Sequence, residues 1–94
     1  MKDLNSTLIE GTAHHIVYRN NDTPETFFEL TSQRGEDTAT LSIIAHRKLA
    51  DTCHEYLKEN DRVRVIGHLA QQGSEIYIIA EHIEIKPPQN WKGN

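Results

Sequence analysis

A single cysteine, Cys53, leaves the chain no partner for an internal disulfide. That fits a reducing compartment and a cytoplasmic protein. No apolar run approaches the ~20 residues that a bilayer span needs, and no basic, apolar leader opens the sequence. Basic charge is short: 10 Lys and Arg stand against 14 Asp and Glu, a formal net charge of -4. A domain that grips duplex DNA is usually basic, so this balance argues against that class. The six histidines do not fall at metal-ligand spacing. His14 and His15 are adjacent and would point to opposite faces of a strand. His46 and His54 lie more than two helical turns apart, and no Cys or His pair sits at zinc spacing. A nucleophile elbow, a glycine-rich phosphate loop and a two-carboxylate hydrolase signature are all missing. Neither a metal, a cofactor nor catalysis is expected. Aromatic residues make up 6% of the chain, few for a surface that stacks bases.

What is there reads as one soluble domain. Its 94 residues are 36% hydrophobic and 26% charged, enough to fold around a modest core. From Asn5 to Val17, Thr7, Ile9, Gly11 and Ala13 alternate with Leu8, Glu10, Thr12 and His14, a strand pattern. Gly11 inside it marks a bulge or a close backbone approach. Tyr18 to Pro24 reads as a loop on composition. Glu25 to Gln33 is a second strand. Phe27 and Phe28 take opposite faces of it, and the pattern leaves open which one faces the core. Arg34-Gly35-Glu36-Asp37 is a turn, and Thr38 to Ala45 a third strand. Leu49, Ala50, Cys53 and Leu57 then form one stripe at helical period, which places the Cys53 thiol in packing. Asn60 is expected to end that helix in a left-handed conformation, with Asp61 opening a turn. Arg62 to Leu69 returns to period 2. Gln71 to Ser74 is a hairpin connection with Gly73 at positive φ. Glu75 to Lys86 is a last strand, apolar on both faces near its start, as at a subunit contact. Pro87-Pro88 stops the sheet. The expected division is a domain over residues 1–86 and a short tail over 87–94.

Three strands, a helix and two strands is the order of the OB-fold, a five-stranded all-β Greek-key barrel with one helix between strands 3 and 4. Lys48-Leu49-Ala50, Glu55-Tyr56-Leu57-Lys58 and Val63-x-Val65-x-Gly67-x-Leu69 resemble the helix and fourth strand of bacterial single-stranded DNA-binding proteins. Asn5, Leu8-Ile9 and Gly11 are similar to that family's first strand, and Ala80-Glu81-His82-Ile83-Glu84-Ile85 to its last. The closing segment also resembles primosomal replication protein N, a shorter relative. The similarity covers roughly Asn5 to Ile85.

The resemblance implies binding of single-stranded DNA, without sequence specificity, in replication, repair or recombination. It also implies a homo-oligomer, a dimer or tetramer, with replication proteins as further partners and no membrane. Phosphates would meet Arg19, Arg47, Lys48, Arg62 and Arg64, and Lys48 falls at a basic position of the family. Bases would stack on Tyr18, Phe28, His46 and Tyr77, with Trp91 adding a ring from the tail. Each residue has a plainer reading. Arg62 and Arg64 are also the ordinary polar face of a half-buried strand, and Tyr18 or Tyr77 can simply pack. The chain departs from the family where its tryptophans would stand: Thr40 holds the third-strand position and the last hairpin is cut to Gln72-Gly73. It ends Trp91-Lys92-Gly93-Asn94, without the family's long acidic-tipped tail, so recruitment by that route is not expected. These departures keep a second reading open: an OB-fold interaction or assembly module, a primosome-type accessory with weak or no DNA binding.

Overall fold

The structure, a computed structural model, describes residues 2–87. Trp91 and the rest of the expected tail beyond Pro87 lie outside the described residues. Six elements follow in order: β1 (Thr7–Asn20), β2 (Pro24–Arg34), β3 (Asp37–His46), α1 (Arg47–Tyr56), β4 (Arg62–Gln72) and β5 (Glu75–Ile85). The strands close into a barrel in the order β1-β2-β3-β5-β4. All pairings are antiparallel except β3 with β5, which is parallel. This is the expected OB-fold. No helix among the described residues is long and apolar enough to cross a membrane.

The period-2 pattern of the sequence becomes the inside and outside of the barrel. Ala13, Phe28, Leu30, Ile43, Ala45, Val63, Val65 and Ile78 fill the interior. Two glycines let backbones approach. A Cβ on Gly11 would overlap the Thr31 carbonyl, and one on Gly67 the Ile79 carbonyl. Gly73 has φ 62°, as its hairpin requires.

β1 runs further than composition suggests. Val17 to Asn20 pair with Phe27 to Pro24, so Tyr18 and Arg19 are strand residues rather than loop. The strand changes direction on the way. Its register with β2 shifts between His14 and Val17, and His15 sits at φ 55°. Two residues, His15 and Ile16, therefore oppose Phe28 alone, which is a β-bulge. A bulge leaves amides without a ladder partner. Here Glu59 accepts both: the His15 N–H donates to Oε1 at 3.0 Å and the Ile16 N–H to Oε2 at 2.8 Å.

The ten-residue α1 is too short to be stable by itself. Ala50, Cys53 and Leu57 bury its stripe against the barrel, and buried Thr26 donates its hydroxyl to the Ala50 carbonyl at 2.8 Å. Burial pushes the Cys53 thiol up to about 11, so it stays protonated as a packing group. The helix ends earlier than expected, with Leu57 extended at φ -87°. Asn60 is left-handed at φ 72°, but it shapes the turn after the helix instead of ending it. Asp61 closes that turn by accepting the Lys58 N–H at 2.9 Å. The Ala13 N–H donates to the Asp61 carbonyl, and the Asn60 N–H to the Ala13 carbonyl. The turn carrying Glu59 is thus fastened to β1 beside the bulge.

The Ile16 and His15 amides hold the Glu59 carboxyl below its ordinary value of 4.5. A group lowered in the folded state stabilises it above the unfolded value, and that contribution is lost as pH falls through the folded value. Glu59→Gln should therefore melt at a lower temperature than the parent at neutral pH. Its melting temperature should fall less steeply on acidification below pH 4.5. Melts by circular dichroism that coincide for the two proteins at every pH would remove this role from Glu59.

Candidate nucleic-acid interface

The bulge decides which side chains share the outer face of β1, β2 and β3. Before it, even-numbered residues of β1 point outward: Glu10, Thr12 and His14. After it, the extra residue inverts the alternation, and Val17 and Arg19 point outward while Tyr18 turns toward α1. Register partners then form rows across the face. Arg19, Glu25 and His46 make one row. Val17, Phe27 and Ile44 make the next, which β5 extends with Ile79. His14, Glu29 and Ser42 make a third. Thr12, Thr31 and Thr40 make a fourth, with Arg62 of β4 opposite Thr12.

An apolar row carrying one ring thus lies between two rows whose central residue is a glutamate. Each glutamate has a histidine partner. His15 Nδ1 is 2.9 Å from Glu29 Oε1, and His46 Nδ1 is 3.5 Å from Glu25 Oε2. The Arg19 guanidinium lies over the Phe27 ring, 5.0 Å from its centroid, within cation–π range. Beside these rows opens a cleft of about 550 Å³. Phe27, Glu29, Ile44, His15 and Tyr77 line it, together with Gln72 and Ser74 of the β4–β5 hairpin.

The residues expected to bind fall in different places. Arg19 lies on this face, and Tyr77 lines the cleft. His46 ends the Arg19 row, and exposed Arg47 and Lys48 follow it at the start of α1. Arg47 sits at φ 56°, a backbone conformation that a non-glycine residue adopts at a cost of about 1–2 kcal/mol. Arg62 is exposed, on the shoulder of the face. Its Nη1 donates to the Thr12 hydroxyl at 3.3 Å, and it stands two strands, about 10 Å, from the β2 row.

Three placements correct the expectation. Phe28 is 2% exposed and belongs to the core, so it offers no ring to a base; the outward ring of the pair is Phe27. Tyr18 faces away from the cleft. It stacks on His54 at 3.9 Å between centroids and donates its hydroxyl to Asp51 at 2.8 Å, because the bulge reversed its face. Arg64 is held between two carboxylates, with Nη2 2.6 Å from Glu10 and Nη1 2.8 Å from Glu84. A phosphate would have to displace both. Sequence reasoning missed Phe27, His15 and Ile44. A signal for Phe27 was there, since it shares a parity with Glu25 and Glu29, and two charged residues mark that parity as the outer one.

No family model matches the chain, and no curated protein does. Among solved structures, the second single-stranded DNA-binding protein (SSBb) of Mycobacterium smegmatis is similar, with a TM-score of 0.80 at 20% sequence identity. The match covers 86% of this chain and 87% of that one. The likeness establishes the fold: the chain has the barrel architecture of a single-stranded DNA-binding protein over most of its length.

Glu29 raises the pKa of His15, through its hydrogen bond first and its charge second. In an NMR titration His15 should titrate above its ordinary value of 6.5, and Glu29→Gln should bring it down. A His15 midpoint that the substitution leaves unmoved would mean that the pair does not form in solution.

Proposed function

We propose that the face formed by β1, β2, β3 and the β4–β5 hairpin binds single-stranded DNA, serving replication, repair or recombination in the cytoplasm. One observation carries the reading. Phe27 faces outward in an apolar row and lines a cleft, with Arg19 over it and Tyr77 among the other lining residues. Rings of this kind stack on unpaired bases irrespective of sequence. A duplex keeps its base faces hidden and offers them nothing. Phosphates meet Arg19, Arg47 and Lys48, which gather at the end of the face marked by His46, and Arg62 at the shoulder. The fold of the mycobacterial single-stranded DNA-binding protein supports the same ligand. No reaction chemistry is assigned.

With about four cations on the backbone path, log affinity should fall with log salt at a slope of about -3, shallower than for a basic duplex binder. A titration of fluorescent oligo-dT should show micromolar or tighter binding at low salt with that slope. Phe27→Ala should weaken it by about tenfold, the loss of one stacking ring. Phe28→Ala should instead cost about 3–5 kcal/mol of fold stability. Absence of binding at low salt would defeat the proposal.

A second reading has its own support on another wall. Leu8 of β1 and Ile66 of β4 are register partners, and both are exposed, at 67% and 36%. Leu4 nearby in sequence is 95% exposed. Apolar side chains grouped like this fit an association surface, and we infer a homo-oligomer, a dimer or tetramer, formed through it. An assembly module would use the same surface. Light scattering should return a mass above 10.8 kDa that Leu8→Glu reduces toward it. A monomer in both cases would exclude self-association.

A further inference from the structure

Fixed charge of a single sign lines the cleft. Among the described residues its walls hold Glu29 and Glu75 and neither lysine nor arginine. Arg19 borders it over Phe27, and Arg47, Lys48 and Arg62 stand outside it. A phosphate in the cleft would meet two carboxylates with only His15 to offset them, whereas a base beside Arg19 would meet the Phe27 ring with its face and carboxylate oxygens with its edge. A strand on this surface therefore turns its bases in and its phosphates out.

Glu29 is placed to read those edges. β2 directs it outward in the row beside Phe27, and its side chain is 48% exposed. His15 Nδ1 lies 2.9 Å from Oε1, which gives that oxygen one partner. Oε2 accepts no hydrogen bond among the described residues. An ionised carboxylate is acceptor-only, with about four lone-pair sites, so His15 leaves capacity on both oxygens.

We propose that Glu29 makes the cleft selective for bases that offer neighbouring N–H donors, guanine first. Guanine presents N1–H and its N2 amino group side by side, which matches the two oxygens of a carboxylate as an arginine fork does. Cytosine and adenine each offer one amino group next to a ring-nitrogen acceptor. Thymine offers a single N3–H flanked by two carbonyl oxygens, and a carboxylate repels both. The inference rests on the cleft being a single-strand site. It leaves the order of bases unread and makes their composition matter.

The test uses the full chain and two oligonucleotides of equal length, one of thymine alone and one with 7-deazaguanine at alternate positions. The deaza base keeps the donor edge and prevents four-stranded assembly. By fluorescence anisotropy at fixed salt, the guanine-bearing strand should bind about five- to tenfold tighter, the scale of one bidentate contact. Replacing the deazaguanines by inosine, which lacks the N2 amino group, should remove most of that preference. Glu29→Gln should bring the two strands within about twofold while oligo-dT binding persists. Glu81→Gln, whose side chain pairs with His68 outside the cleft, should leave the preference intact. Equal affinities in the parent, or a preference that survives Glu29→Gln, overturn the inference and leave the single-strand reading standing. Failure to bind either strand overturns both.

Discussion

Two backbone amides, those of His15 and Ile16, face away from β2, and the Glu59 carboxylate takes them both. Much of the rest follows from this contact. An orphaned amide pair at a bulge costs free energy unless it is satisfied. The carboxylate satisfies two donors at once and ties the turn after α1 to the first strand. That tether lies at the helix end of the barrel, where Asp61 and Asn60 exchange further backbone hydrogen bonds with Ala13. It also holds the bulge in place, and the bulge sets the parity of every β1 residue beyond it. Arg19 covers Phe27 and Tyr18 stacks on His54 because one extra residue was inserted and kept.

The acidic composition and the geometry describe the same surface from two sides. A chain of net charge -4 cannot offer a broad cationic trough. The structure narrows the supply further by holding Arg64 between Glu10 and Glu84. What remains is a set of cations beside the cleft and a lining made of rings, aliphatic side chains and glutamates. For the proposed single-stranded ligand, electrostatic attraction on such a face is weak and local, and contact with bases has to supply a larger share of the affinity.

How much of this was legible in the sequence depended on range. Local patterns carried the element order, the positive φ of Gly73 and the buried Cys53, because each is set by residues a few positions apart; at Gly11 they left a bulge and a close approach open, and distant Thr31 decides for the close approach. The extension of β1 through Asn20 was hidden, since polar residues at Tyr18 to Pro24 look like a loop until β2 supplies partners for them. Tyr18 was misplaced for a related reason. Strict alternation puts it on the face of His14, and the bulge that reverses it depends on Glu59, some forty residues away. Arg64 looked available because its carboxylates lie 54 and 20 positions distant. Phe27 was the avoidable miss, because its charged neighbours of like parity already marked the outer face.

The position of the rings ties the core to the surface more closely than either Phe alone suggests. Phe27 and Phe28 are consecutive, so a shift of β2 by one residue would exchange them. It would bury Glu25 and Glu29 and expose Leu30 along with Phe28. Burying two carboxylates without partners is far costlier than moving a ring. The glutamates on this face therefore hold the register that keeps Phe27 outside. The acidic residues that would weaken attraction for a phosphate are the same ones that fix where the Phe27 ring stands. Any charged side chain at Glu25 and Glu29 would resist burial in the same way, so the register requires charge at these positions and leaves its sign to the chemistry of the face.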